Sequence, residues 1–318
     1  MHTFNFTGRG PLFNSLQYID AKDPCPVFDG QKWHVFGSGS SSVGEMSEII
    51  HATALQIEGP WQDEPTVELI GVAGVHVATP GVIYDFSEGV FHMFVQTDFM
   101  ALDSKIEHLI SADGKHFNHA STVLHSIPNT QEEGIYDPHP AMIIGKKYIS
   151  YSGFAEVGRP DIYLARSTTN YWCGPWERVG VILKHGDALL RDPSAQPDYE
   201  FGLKGSQLIA LSDKCILLSV VCFLSEGERN SRQRVLFAAA ENVEGPFYLL
   251  SPLLSLNHRE WQSGNNRHAS VVLDNDRLYL FYKVQSEGKE KSTYEFGTAS
   301  IELTAIQRVA QKILSKVQ

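Results

Sequence analysis

Apolar positions in this chain come in short runs rich in β-branched and aromatic side chains, each followed by a compact polar turn and a second such run. Two runs of this kind around a tight turn read as a β-hairpin. The pattern recurs as DPCPVFDGQKWHVFGS from Asp23, TPGVIYDFSEGVFHMFVQ from Thr79, DPHPAMIIGKKYISYSG from Asp137, KGSQLIALSDKCILLSVV from Lys204 and RHASVVLDNDRLYLFYKV from Arg267. Asp-Gly, Glu-Gly, Ile-Gly-Lys, Ser-Asp-Lys and Asn-Asp mark the five turns. Aligning the second strands on an aromatic or apolar residue pairs Trp33, Phe91, Tyr148, Cys215 and Leu278.

Each hairpin is followed by a second repeated half: IIHATALQIEGPWQDEPTVELI, EHLISADGKHFNHASTVL, IYLARSTTNYWCGPWERVGVIL, VLFAAAENVEGPFYLLSPLL and YEFGTASIELTAIQRVAQKIL. Gly59-Pro60-Trp61, Gly174-Pro175-Trp176 and Gly245-Pro246-Phe247 stand at the same place in three of them. Units opening roughly every 55 to 70 residues, with four short strands each, predict a propeller rather than a sandwich. The fold expected is all-β: one five-bladed β-propeller over residues 1–318, four antiparallel strands per blade, with blades opening near 23, 79, 137, 204 and 267. One sheet cannot cover both of its apolar faces, so the units must stack radially. Their innermost strands then line an axis, and Asp23, Thr79 with Pro80, Asp137, Lys204 and Arg267 with His268 form a ring at one mouth.

Composition adds limits. With 42% apolar, 11% aromatic and 20% charged residues the chain has material for a large core. The net charge of −11 includes no acidic run and no basic stripe, which disfavours nucleic acid as a partner. Met1 is followed by neither a basic region nor an apolar one, and no apolar run approaches membrane length, so a cytoplasmic chain, or one that has lost its leader, with no membrane partner is expected. Cys25, Cys173, Cys215 and Cys222 show no zinc spacing and read as buried free thiols, with Cys25 placed to face the pocket.

Two aspartates facing one pocket suggest paired-carboxyl acid/base work of the kind that cleaves glycosidic bonds. The order of AKDPCPVFDGQKWHVF, IYDPHPAMIIGKKYISYSG, GRPDIYLARST with GPW, and RHASVV resembles the five-bladed glycoside hydrolases of family 43 and relatives, which include arabinanases, arabinofuranosidases and β-xylosidases. That resemblance covers almost the whole chain and implies an O-glycosyl hydrolase acting on a small pentoside or related glycoside. It implies Asp23 as general base and Asp137 as the carboxylate that orients substrate. It also implies His268 as a pore histidine near which some members hold calcium, with no cofactor required.

The fourth blade departs from the pattern. Lys204-Gly205-Ser206 stands where family members carry Glu-Gly-Pro, whose glutamate is the general acid. An ordinary lysine is a poor proton donor at neutral pH, so the acid is unassigned, with Glu133 and Glu200 as candidates. The alternative is a propeller repurposed for a non-hydrolytic or small-metabolite-binding role, with a cationic pocket from Lys204, Arg267 and His268, joined by Arg191. His139, two residues after Asp137, points the same way down the channel. Trp261 and Trp172, in loops, and Phe99 with Met100 are candidate walls for a sugar. The long polar connection HGDALLRDPSAQPDYEFGL is expected to overhang the mouth.

Overall fold

The computed structural model describes residues 7–14, 20–40, 48–74, 76–98, 103–155, 159–169, 171–186, 202–223, 233–252, 265–285 and 295–316. The first strand is β1 (Thr7–Asn14). Blade one follows as β2 (Asp20–Phe28), β3 (Trp33–Ser40), β4 (Glu48–Ala54) and β5 (Gln62–Asp63), then a short β6 (Glu68–Ile70). Blade two is β7 (Ala78–Asp85), β8 (Val90–Thr97), β9 (Lys105–Ser111) and β10 (His116–His125). Blade three is β11 (Gly134–Ile143), β12 (Lys146–Phe154), β13 (Asp161–Ser167) and β14 (Trp176–Leu183). Blade four is β15 (Gly202–Ser212), β16 (Cys215–Phe223), β17 (Gln233–Ala240) and β18 (Tyr248–Pro252). Blade five is β19 (Asn265–Asp274), β20 (Arg277–Gln285) and β21 (Glu295–Glu302), and α1 (Leu303–Leu314) ends the described chain.

Consecutive strands within a blade pair antiparallel, and the innermost strands β2, β7, β11, β15 and β19 touch in that order and close back on β2. The ring forms because each sheet is apolar on both faces. All eight residues of β3, for instance, are buried. Among the described residues the apolar side chains gather into five clusters, one at each junction between neighbouring blades. Phe36 and Ile49 of blade one meet Phe91 and Leu109 of blade two, and Trp33 and Ile50 on the other face meet Tyr279 and Phe281 of blade five. Core in this fold lies between sheets, so no blade is stable without both neighbours.

Two blades depart from four consecutive antiparallel strands. In blade two, β6 adds a fifth strand, parallel to β10. In blade five the outermost strand is β1, paired antiparallel with β21 from Thr7↔Ser300 to Asn14↔Glu295. The segment expected to complete blade five with strands is instead α1, whose Ile306, Ala310 and Leu314 pack onto Phe237, Leu250, Leu280 and Ile301. Spacing of four puts those three residues on one helix face.

The hairpin alignment also shifts by one residue in two blades. Trp33, Phe91 and Leu278 are equivalent, but their counterparts are Lys147 and Ile216 rather than Tyr148 and Cys215. Lys147 hides in an apolar position because its buried stem carries the ammonium to Asp85 at 3.3 Å. In blade four the pairing skips again between Ala210 and Ser212, displacing Cys215. The four cysteines form no disulfide, as expected, but Cys173 is exposed and the Cys25 sulfur accepts from the Val82 N–H at 3.2 Å. No helix among the described residues is long and apolar enough to cross a membrane.

Candidate active site

Each innermost strand carries a β-bulge at the same level. Pairing skips between Lys22 and Cys25, Ala78 and Gly81, Tyr136 and His139, Lys204 and Gln207, and Arg267 and Ser270. The first bulged residue is left-handed in all five, with φ of 56° at Asp23, 52° at Thr79, 51° at Asp137, 56° at Gly205 and 52° at His268. Glycine takes that conformation without strain; each of the other four costs on the order of 1 kcal/mol. Bulges re-aim side chains, and this set brings Asp23 into charge range of both His268 and Asp137. Neighbouring inner strands are so close at this level that a Cβ on Gly81 would lie 2.1 Å from the Pro138 carbonyl oxygen.

The bulges are pinned from the second strand of the preceding blade. Thr79 N–H donates to Ser38 Oγ at 2.7 Å, Asp137 N–H to Gln96 Oε1 at 3.0 Å, and Gly205 N–H to Ser152 Oγ at 3.3 Å. Ser38, Gln96 and Ser152 occupy one register position, opposite Lys22, Ala78 and Tyr136. Sequence reading missed all three. Their signal was a polar residue recurring inside otherwise apolar second strands.

The two aspartates sit in opposed environments. Asp23 accepts from Ser38 Oγ at 2.6 Å on one oxygen and from His268 Nδ1 on the other. Burial pushes its carboxyl up, but His268, Lys22 and Ser38 outweigh burial and hold it well below the usual carboxylate range. Burial, with Lys204 and Lys22 adding to it, keeps His268 well below its ordinary value against the pull of Asp23. The two groups are linked, and the ionised carboxyl is favoured first by the His268 charge, then by its hydrogen bond, by Lys22 and by Ser38. Asp137 is the reverse case. Burial raises it to about 6, Asp23 adds to the rise, and Lys204, Lys22 and the Gly205 N–H only partly oppose it.

Other expected residues fall in several places. Lys204 stands one residue before the bulge, with Gly205 at the bulge itself, and its charge acts on Asp137 and His268. Arg267 takes the matching position on β19; its side chain lies outside the described residues. His139 is held near 4 by burial, with the Asp23 charge as the opposing influence. Thr79 is buried and its hydroxyl is committed to Gln96 Oε1 at 2.8 Å. Glu133 ends the turn before β11, its N–H on the Thr130 carbonyl at 3.3 Å, and the charges acting most strongly on Asp137 are Lys204, Asp23 and Lys22. Glu200, Trp261, Phe99, Met100 and Arg191 lie outside the described residues, as does most of the long connection before blade four. Lys22, missed in the sequence, belongs to the site: its charge reaches Asp23, Asp137 and His268.

Trp172 is no sugar platform. It is fully buried, donates from Nε1 to Asp85 Oδ2 at 3.0 Å and lies under the Lys147 ammonium. Asp85, Glu88 and His92 converge closely enough to hold a metal ion, but Lys147 already supplies the positive charge there. Nor do the groups around His268 suit calcium, which needs six or more oxygen ligands. The carboxylate beside it is taken by Ser38 and His268, and two lysines act on the same space.

No protein-family model matches the sequence, and no curated protein matches it. Solved structures do match in shape. The catalytic domain of a family 62 α-L-arabinofuranosidase from Coprinopsis cinerea superimposes with a TM-score of 0.69 at 14% identity, over 94% of this chain and 97% of that one. A family 43 β-xylosidase/α-arabinofuranosidase from a compost metagenome, in complex with xylotriose, gives 0.62 at 18% identity, over 93% and 95%. An α-L-arabinanase from Cellvibrio cellulosa, complexed with arabinohexaose, gives 0.64 at 14% identity, over 87% and 91%. The fold is the five-bladed propeller of these glycosidases. Identity at this level speaks for the shared architecture, and the chemistry has to be argued from the residues.

Proposed function

We propose that this protein is a glycosidase that cleaves a small pentoside or related glycoside, with Asp137 as proton donor and Asp23 as its permanently ionised partner. One observation carries the reading: two carboxyl groups at equivalent bulges of one channel are displaced in opposite directions, Asp137 up to about 6 and Asp23 well down. Environments that drive paired carboxyls apart assign the acid and the base. Asp137 would protonate the leaving oxygen as the glycosidic bond breaks. Asp23 would stabilise the positive charge growing on the sugar ring and orient the water that adds to the anomeric carbon. Water's second proton then restores Asp137.

In this reading Lys204 does not replace the missing glutamate as acid. Its charge tempers the rise at Asp137, leaving that carboxyl able to give and regain a proton near pH 6. The expected result on a panel of aryl arabinofuranosides and xylosides is cleavage of at least one member, with kcat/KM lowered roughly 10²- to 10⁴-fold by Asp137→Asn. Asp23→Asn should lose activity as severely. A panel left wholly uncleaved would sink the hydrolase reading and favour the repurposed propeller, for which Lys204 in the glutamate's place is the motivating observation.

A further inference from the structure

We propose that the glycoside accepted here carries an anionic group, a carboxylate or a phosphate, and that Lys22 and Lys204 form its seat. This rests on the glycosidase reading of the same site and adds the substrate class. The residue just before each bulge is Lys22, Ala78, Tyr136, Lys204 or Arg267. Because β15, β19 and β2 are neighbours around the ring, basic residues hold this level in three consecutive blades, and uncharged residues hold it in the other two.

Lys22 is the deciding member. It is half-buried, its charge reaches both carboxyls and His268, and it has no hydrogen-bond or ion-pair partner among the described residues. The nearby carboxylate is not that partner: the two oxygens of Asp23 accept from Ser38 and from His268. Asp137 accepts from the Gly205 N–H and carries a proton part of the time near pH 6. An ammonium with no acceptor on the protein is open to an anion on the ligand. Lysine donates to carboxylate and phosphate alike, as a point charge. Lys204 acts on the same carboxyl and the same histidine as Lys22. A neutral pentoside would leave Lys22 without an acceptor.

The test compares aryl glycosides that share a leaving group: a neutral sugar, the matching uronide and the matching 6-phosphate. Calorimetric binding of free glucuronate, glucose 6-phosphate and glucose to the Asp137→Asn protein accompanies it. One anionic series should exceed the neutral one in kcat/KM by roughly tenfold to a hundredfold, the range of a charge-assisted contact. The better of the two anionic series identifies carboxylate or phosphate. Lys22→Gln should cut that preference roughly tenfold, and Lys22→Arg should keep most of it. Should Lys22→Gln prove poorly folded, the Lys22→Met and Lys204→Gln proteins read the same ratio.

Neutral glycosides cleaved as well as both anionic series would overturn the proposal while leaving the glycosidase reading intact. Anions bound more tightly than glucose with no glycoside cleaved would do the opposite. Neither binding nor cleavage in this series, with the arabinofuranosides and xylosides also uncleaved, would end both.

Discussion

Asp137 shows how one residue trades stability for chemistry. Its folded value of about 6 lies above the ordinary 3.8, so the native state holds a proton that the unfolded chain has lost between those pH values. Stability from this group is therefore highest below about pH 4 and falls as pH rises through 6. At pH 7.5 the buried carboxylate costs up to about 3 kcal/mol. Asp137→Asn should accordingly melt higher than the parent at pH 7.5, with the gap closing by pH 4, while cleavage is lost. Thermal denaturation at the two pH values checks this, and a variant destabilised at both would mean that the carboxylate is needed for folding.

Part of this site was legible in the sequence. Asp-Pro at two blade openings pointed to Asp23 and Asp137, and the order of segments pointed to His268. Lys22 was not legible, because a lysine before a strand looks like any solvated charge until the fold brings Asp23, Asp137 and His268 within its reach. Ser38 and Gln96 were hidden for a related reason: their partners lie in the next blade, and nothing local marks a side chain as a latch between sheets.

At the scale of strands, blades one and two repeat a buried polar device. Asp29 Oδ2 meets His34 Nε2 at 2.9 Å, and His34 Nδ1 meets His51 Nε2 at 2.9 Å. In blade two Glu88 faces His92 Nε2 at 3.4 Å, and His92 Nδ1 meets His108 Nε2 at 2.9 Å. The outer nitrogens, His51 Nδ1 and His108 Nδ1, are buried with no hydrogen-bond partner among the described residues. Burial first, and the neighbouring histidine second, hold His51 and His108 near 3. Their folded values lie below the ordinary 6.5, so the stability they contribute is complete above that pH and is lost as pH falls from 6.5 toward 3. Urea unfolding should show a loss on the order of 2 kcal/mol for each of His51 and His108 between pH 7 and pH 5. Replacing His92 and His108 together by phenylalanine should make that slope shallower by at least one such contribution; an unchanged slope would clear the pair.

Strand pairing was readable wherever it was local, as in the five hairpins and the Gly-Pro-aromatic turns. It failed in blade five. There the spacing of Ile306, Ala310 and Leu314 was a helical signal inside a segment fitted to a strand template, and the true fourth strand lay at the other end of the chain.

For the whole molecule, completion of blade five depends on that distant strand. Removing residues 1–14 would leave β21 as a bare outer edge beside α1. Such a protein should melt lower by roughly 10 °C or more, or aggregate, as measured by calorimetry and light scattering. An unaltered melting temperature would show that β1 contributes nothing to blade five.

The pairing of Thr7 with Ser300 also has a consequence during synthesis. The ribosome makes β1 long before β21, the strand it must join. Until blade five has been made, the faces of Trp33 and Ile50 that it will cover stay open to water. The nascent chain carries a sticky surface until then, and the cell must either finish blade five quickly or shield that surface with a chaperone.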